Sequence, residues 1–327
     1  MQTIHVIHEN DAWVAPLRAA FAEIGARHRE WFLDHGVLDL RDPPPAGVYY
    51  NRMSASSHTR GHRHAVDYTA AVLAWLERHG RVVVNDSRAL RLEVSKVAQY
   101  QALAVHGIAT PDTLAAIGKR HVFDAARRLG FPLILKHNRG GKGLGVRLLR
   151  DPAALARHLE SPGYEEPIDG VVLVQRYVES PEPYITRAEF VGGKFLYAVR
   201  VDTSQGFELC PADQCQIEAA GGAAGTGLAD VAPASAPAAR FRIVEGFDSP
   251  LIPRYEAFLA ANGIGVAGIE FVRDREGRAF TYDVNTNTNY NPEAEALASQ
   301  SGMRAIARHL AALAAEEAAR LRSRHAA

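Results

Sequence analysis

Apolar residues recur along this chain with two spacings, and the switches between them outline its architecture. Residues 3–7 form a short apolar run that predicts a buried strand, and apolar positions at helical spacing follow over 13–24, ending at Gly25. The order then repeats as a strand over 47–51, a helix over 65–78 stopped by Gly80, and a strand over 81–85. Such alternation predicts a small α/β domain with a parallel sheet over residues 1–90. Helices over 92–105 and 121–129, strands over 132–136 and 146–149, and a helix opened by Asp151-Pro152 make a mixed central unit over 91–168.

From Gly170 the pattern becomes strand-rich. A strand over 171–175 precedes a hairpin in which 185–190 turns at Gly192-Gly193 into 194–201. A helix over 251–262, strands over 268–273 and 279–284 joined at Glu276-Gly277, and a helix from Met303 complete a third unit over 169–327, built on an antiparallel sheet. Residues 219–239 are dominated by alanine, glycine, proline and serine and follow neither spacing, so they read as a loop suited to act as a lid.

A chain of 327 residues accommodates several compact units. Lysine plus arginine equal aspartate plus glutamate, 37 against 37, so no net field favours nucleic acid or an anionic membrane. An anionic ligand must therefore be held by local geometry. No apolar stretch approaches the roughly 20 residues needed to span a bilayer. Cys210 and Cys215 are too few for a disulfide framework, and the N-terminal stretch lacks the basic and apolar regions of a signal peptide, which predicts a cytoplasmic location. The two cysteines read as small buried hydrophobes without a catalytic role.

Chemistry first shows in the run from Lys136 through Gly140, Gly141, Lys142, Gly143 and Gly145 to Val146. Glycines let the backbone approach a phosphate and aim N–H groups at it, and a lysine ending a strand adds a full charge. A Walker A loop or a Rossmann fingerprint would open a helix. Here the glycines run into the strand-like Val146-Arg147-Leu148-Leu149, which predicts a flap between antiparallel strands. On this segment alone, a plain hairpin turn with a solvated Lys136 is an equal alternative.

A second cluster lies near the other end. Alternation along a strand puts Asp283 and Asn285 on one face, and the hairpin brings Glu270 across from them. Three hard oxygen donors suit magnesium. Ile269, Phe271, Tyr282 and Val284 are expected on the opposite face.

Together these segments resemble the ATP-grasp superfamily over residues 92–300, especially its branch of RimK-like glutamate ligases. The resemblance implies a mixed α/β ATP-grasp fold, with an N-terminal parallel-sheet domain, a small central domain and a C-terminal antiparallel-sheet domain. It implies ATP with Mg2+, or Mn2+ in its place. Lys96 and Lys136 would contact the phosphates beside Gly140, Gly141, Lys142, Gly143 and Gly145. Gln175, Arg176, Tyr177 and Val178 would meet adenine and Glu182 the ribose, with Glu270, Asp283 and Asn285 at the metal. Three departures stand out: Asp283 replaces the more usual glutamate, Arg176 replaces an acid of the hinge, and residues 285–292 lack a small proline-glycine turn, which makes the acceptor pocket unusual.

The activity so implied is ligation. A carboxylate of an amino acid or short peptide is activated as an acyl phosphate and joined to an amine, with Arg200 first and Arg187 second as partners for the oxyanion. Residues 51–60 offer groups suited to gripping a polar substrate, or to a plain surface loop. A nucleotide-binding regulatory module without turnover, a carboxylate kinase and a purine-type carbon-nitrogen ligase are the alternatives. The expected partners are small-molecule carboxylate and amine substrates, with no nucleic acid and no membrane. The alanine-rich C-terminal helix is suited equally to its own core and to a homo-oligomer.

Overall fold

The computed structural model describes residues 2–141, 143, 145–204, 240–298 and 300–326. Its first sheet is parallel, with strands β1 (Ile4–His8), β2 (His28–Phe32), β3 (Val48–Asn51) and β4 (Val82–Val84) in the order β2-β1-β3-β4. Helix α1 (Asp11–Glu23) joins β1 to β2 and α2 (Ala65–Arg78) lies between β3 and β4. β1 and β3 are buried along their whole length, as strands covered on both faces must be. β2, at the sheet edge, is half-exposed and carries histidine, arginine and glutamate, and the hydrophobic pattern does not announce it.

The helix expected over 92–105 is two helices, α3 (Ser87–Glu93) and α4 (Lys96–Val105). Ser95 between them is extended, and its Oγ accepts from the N–H of Ala98 at 3.2 Å, so it caps a new helix instead of continuing the old one. The break places Lys96 in a first helical turn.

The second sheet is antiparallel, in the order β5-β8-β6-β7. It comprises β5 (Thr113–Ala116), β6 (Leu133–His137), β7 (Arg147–Leu149) and β8 (Val172–Arg176), with helices α5 (Lys119–Leu129) and α6 (Pro152–Glu160). Leu133, Leu135, Val172 and Val174 pack with residues of these helices in one core. Ile134, Lys136 and Gln175 share the opposite face. The glycine run joins β6 to β7, antiparallel as the sequence predicts, and Gly143 and Gly145 take φ of 73° and 76°, a region that favours glycine.

The third sheet is antiparallel too, in the order β11-β10-β9-β12-β13. Its strands are β9 (Tyr184–Val191), β10 (Lys194–Asp202), β11 (Phe241–Val244), β12 (Val266–Arg273) and β13 (Ala279–Asn285). Helices α7 (Leu251–Ala261), α8 (Pro292–Ala296) and α9 (Gly302–Ala326) complete the described elements. Ala188, Phe190, Ile269, Phe271 and Val284 form one core with Tyr255, Phe258 and Leu259 of α7 and Tyr100 and Leu103 of α4. The other face carries Arg187, Glu189, Glu270 and Asp283 in register.

α9 packs on its own chain: Met303, Ile306, Leu310 and Ala314 share a core with Ile4, Leu17 and Phe21. Asn85, at the end of β4, ties the first sheet to the third. It donates to the carbonyls of Val266 and Thr286 and accepts from the N–H groups of Gly265 and Val266. No helix among the described residues is long and apolar enough to cross a membrane. The loop over 219–239, Cys210, Cys215 and Lys142 lie outside the described residues.

Candidate active site

One cavity lies where the three sheets meet, and Lys96, Lys136, Glu270, Asp283 and Asn285 all line it. Lys136 reaches it from β6 and is almost fully buried. Its ammonium donates to the Tyr100 hydroxyl at 2.6 Å and to the Tyr282 carbonyl at 3.3 Å. Tyr100 in turn donates to the Tyr282 carbonyl and accepts from Gln175, so one phenol links the second sheet, α4 and β13. Burial, with repulsion from Lys96, pushes the Lys136 ammonium down to about 7, against a smaller pull from Asp283 and Glu270.

Lys96 arrives from the first turn of α4 and meets Asp283 Oδ1 at 2.5 Å. The start of that helix is fastened to the glycine run, because the N–H of Lys96 donates to the Asn138 carbonyl and that of Val97 to Asn138 Oδ1. Burial works to raise Asp283, but Lys96, aided by Lys136 and Arg187, outweighs it and holds the carboxyl below the ordinary aspartate value. Glu270, directly opposite on β12, shifts the other way: burial raises it, Arg187 only partly offsets that, and the charge of Asp283 adds to the rise. Two adjacent carboxylates of opposite shift, Glu270 buried and Asp283 partly so, with the Asn285 amide beside them, form a hard-oxygen donor set that fits a divalent cation.

Strict alternation fails at Tyr282. The register between β12 and β13 shifts between Glu270 and Phe271, so Glu270 faces Asp283 while Phe271 faces Thr281. Tyr282 is the extra residue. The sequence places it behind the sheet with Ile269, Phe271 and Val284, and instead it lines the cavity beside Glu270.

The two arginines stand on opposite faces of the third sheet. Arg187 pairs with Val199 and Glu270 across the ladders, is buried, and bonds Glu189 at 2.5 Å, Glu270 at 2.7 Å and the Thr288 hydroxyl at 2.6 Å. Arg200 pairs with Thr186, lies 4.5 Å over the Tyr184 ring, and is not among the cavity-lining residues.

The loop after β3 is no plain surface loop. Arg52, Ser54, Ser56 and Ser57 are buried, and Ser54 and Ser56 line the cavity. Glu93 fixes it, accepting from the N–H of Ala55 with one oxygen and from the N–H and hydroxyl of Thr286 with the other. Of the other residues singled out from sequence, Gly140, Gly141, Gly143, Gln175, Arg176, Tyr177 and Val178 line the cavity. Gly145 rests on His137, and Glu182 is exposed and not among the cavity-lining residues. Tyr100 and Glu93 were given no role from the sequence, whereas Arg52 falls within the loop over 51–60 and Asn287 and Asn289 within the run over 285–292, segments marked there without a role for each residue.

Comparison with known proteins bears on the domain and the fold. Residues 94–207 match the family model of the RimK-like ATP-grasp domain. Beta-citrylglutamate synthase B of Danio rerio is 34% identical over 133 residues, 40% of this chain and 32% of that protein. N-acetylaspartylglutamate synthase A of Homo sapiens is 32% identical over 133 residues, 40% of this chain and 33% of that protein. The matched segment thus spans about a third of these relatives' length. Among solved structures, a RimK domain ATP-grasp protein from Sphaerobacter thermophilus superposes with TM-score 0.61 at 19% identity, covering 94% of this chain and 98% of that one. The ATP-grasp ligase PsnB, complexed with minimal precursor, Mg and ADP, gives TM-score 0.62 at 16% identity, covering 95% of this chain and 96% of that one. These structures share the ATP-grasp fold with this chain.

Proposed function

We propose that this chain, which carries a RimK-like ATP-grasp domain on an ATP-grasp fold, is an ATP-dependent carboxylate–amine ligase. It forms an amide or peptide bond through an acyl phosphate, on an amino acid or short peptide. The observation that carries this reading is the convergence of Lys96 from α4 and Lys136 from the second sheet with Glu270, Asp283 and Asn285 from the third sheet in one cavity.

In this reading Lys136, Lys96 and the N–H groups of Gly140, Gly141 and Gly143 hold the phosphates, while Gln175, Arg176, Tyr177 and Val178 flank adenine. Glu270, Asp283 and Asn285 hold Mg2+, with Mn2+ as a substitute, and the ion supplies neutralisation of phosphate charge. Arg187 is our oxyanion partner in preference to Arg200, because it alone of the two lines the cavity. The loop over 51–60 borders the acid substrate, and the units over 1–90, 91–168 and 169–327 enclose the reaction.

The test is a screen of acid and amine pairs for phosphate release, with Lys136→Ala as the blank. The ligase reading expects release that needs both partners, and a product whose mass is acid plus amine less one water. Release with acid alone points to a carboxylate kinase. Nucleotide binding without release under any pair points to a regulatory module.

A further inference from the structure

Arg52 is a cation with no counter-charge. It is 1% exposed, and its guanidinium bonds Asn287 Oδ1 at 3.1 Å, Asn289 Oδ1 at 2.9 Å, and the carbonyls of Thr288 and Trp13 at 3.0 Å. Every one of these acceptors is neutral, and among the described residues no carboxylate pairs with it. Nearby acids are committed elsewhere: Glu189 to Arg187 and Thr288, and Glu9 to Arg60 and His62. A buried charge is ordinarily paired, so this one signals an anion still to come.

The asparagines show where it sits. Residues 285–290 alternate, with Asn285, Asn287 and Asn289 lining the cavity while Thr286, Thr288 and Tyr290 are buried. Arginine has only donors, so the atom that each amide turns toward Arg52 is its oxygen, and the amide nitrogen is fixed on the other side. Among the described residues nothing accepts from Nδ2 of Asn287 or Asn289. Two oriented amide donors, polarised by a buried cation, thus border the cavity next to the Asp283–Asn285 donor set.

We propose that the Nδ2 groups of Asn287 and Asn289, backed by Arg52, form a subsite for a carboxylate group of a substrate. This rests on the ligase reading and adds to it a seat that is separate from the phosphates, which Lys96 and Lys136 serve. The carboxylate belongs either to the acid that is activated or to the amine substrate.

The experiment is an acetate titration followed on side-chain amide NMR signals, in saturating Mg2+ and AMP-PNP, against chloride at equal ionic strength. The Asn287 and Asn289 signals are identified by their loss in Asn287→Asp and Asn289→Asp, which keep the acceptor for Arg52 and remove the donors. Both signals are expected to shift saturably with acetate and not with chloride. Each Asp variant is expected to bind acetate about tenfold more weakly or worse, while unfolding at the same or a higher temperature because Arg52 gains a counter-charge. Acetate that moves neither signal, or that binds both variants as it binds the wild type, overturns the subsite. The wild-type titration decides even where a variant does not fold, the signals then being assigned through bonds. Tighter competition by succinate assigns the seat to the acid substrate, and tighter competition by glycine to the amine substrate. Failure of AMP-PNP to bind in the same samples overturns the ligase reading instead.

Discussion

Gly268 lies under the guanidinium of Arg187: a Cβ on Gly268 would stand 2.4 Å from Nη2 and 2.7 Å from Cζ. An exposed arginine would swing aside, but this one is buried and tied to Glu189, Glu270 and Thr288. Gly268→Ala is therefore expected to push Arg187 off Glu270 and to destabilise the fold by about 3 kcal/mol, as breaking a buried pair does. Urea unfolding reads this, and an unchanged midpoint would refute it.

Lys136 should take up a proton when nucleotide binds. Its folded value is about 7 against an ordinary 10.5, so in the free protein its share of stability is complete above pH 10.5 and is lost as pH falls toward 7. Phosphate oxygens beside it favour the ammonium. Titration calorimetry of AMP-PNP at pH 8.5, in buffers of different ionisation enthalpy, is expected to show uptake of roughly one proton, absent in Lys136→Met. Equal heats in all buffers would count against it.

Asn85 tests the joint between the first and third sheets. It has φ of 60° and bonds Val266, Thr286 and Gly265 through its side chain. Asn85→Gly removes the bonds and tolerates the backbone, whereas Asn85→Ala meets the backbone cost too. Both variants should be destabilised, with alanine worse than glycine by about 1 kcal/mol. A glycine variant as stable as the wild type would show that these bonds do not hold the sheets together.

The sequence carried those parts of this architecture that burial dictates. Strands buried wholly or nearly so, such as β1, β3 and β8, and the hairpin at Gly192-Gly193, were visible because their patterns record burial against the core. Of the edge strands, β4, β7 and β13 were visible, whereas β2, β5 and β11 were not, because their mostly half-exposed side chains follow no strict alternation. The shared face of Asp283 and Asn285 followed from period-two alternation and the approach of Glu270 from the hairpin, while the bulge at Tyr282 depended on a register no local pattern encodes. Arg52 and its asparagines lie some 235 residues apart, beyond the reach of any spacing argument.

Glu93 holds the loop after β3 against the strand that presents Asp283. Glu93→Gln puts an amide where a carboxylate oxygen now accepts, so a bond to Ala55 or Thr286 becomes a donor facing a donor. The expected loss is about 2 kcal/mol in chemical unfolding. A variant as stable as the wild type would show that the loop is held by packing alone.

The most direct measurement is the affinity for AMP-PNP with magnesium and with EDTA, in the wild type, Lys136→Ala and Asp283→Asn. The account predicts wild-type binding that weakens at least about tenfold without magnesium, and a comparable loss in either variant. Affinity indifferent to magnesium and to both substitutions would contradict it.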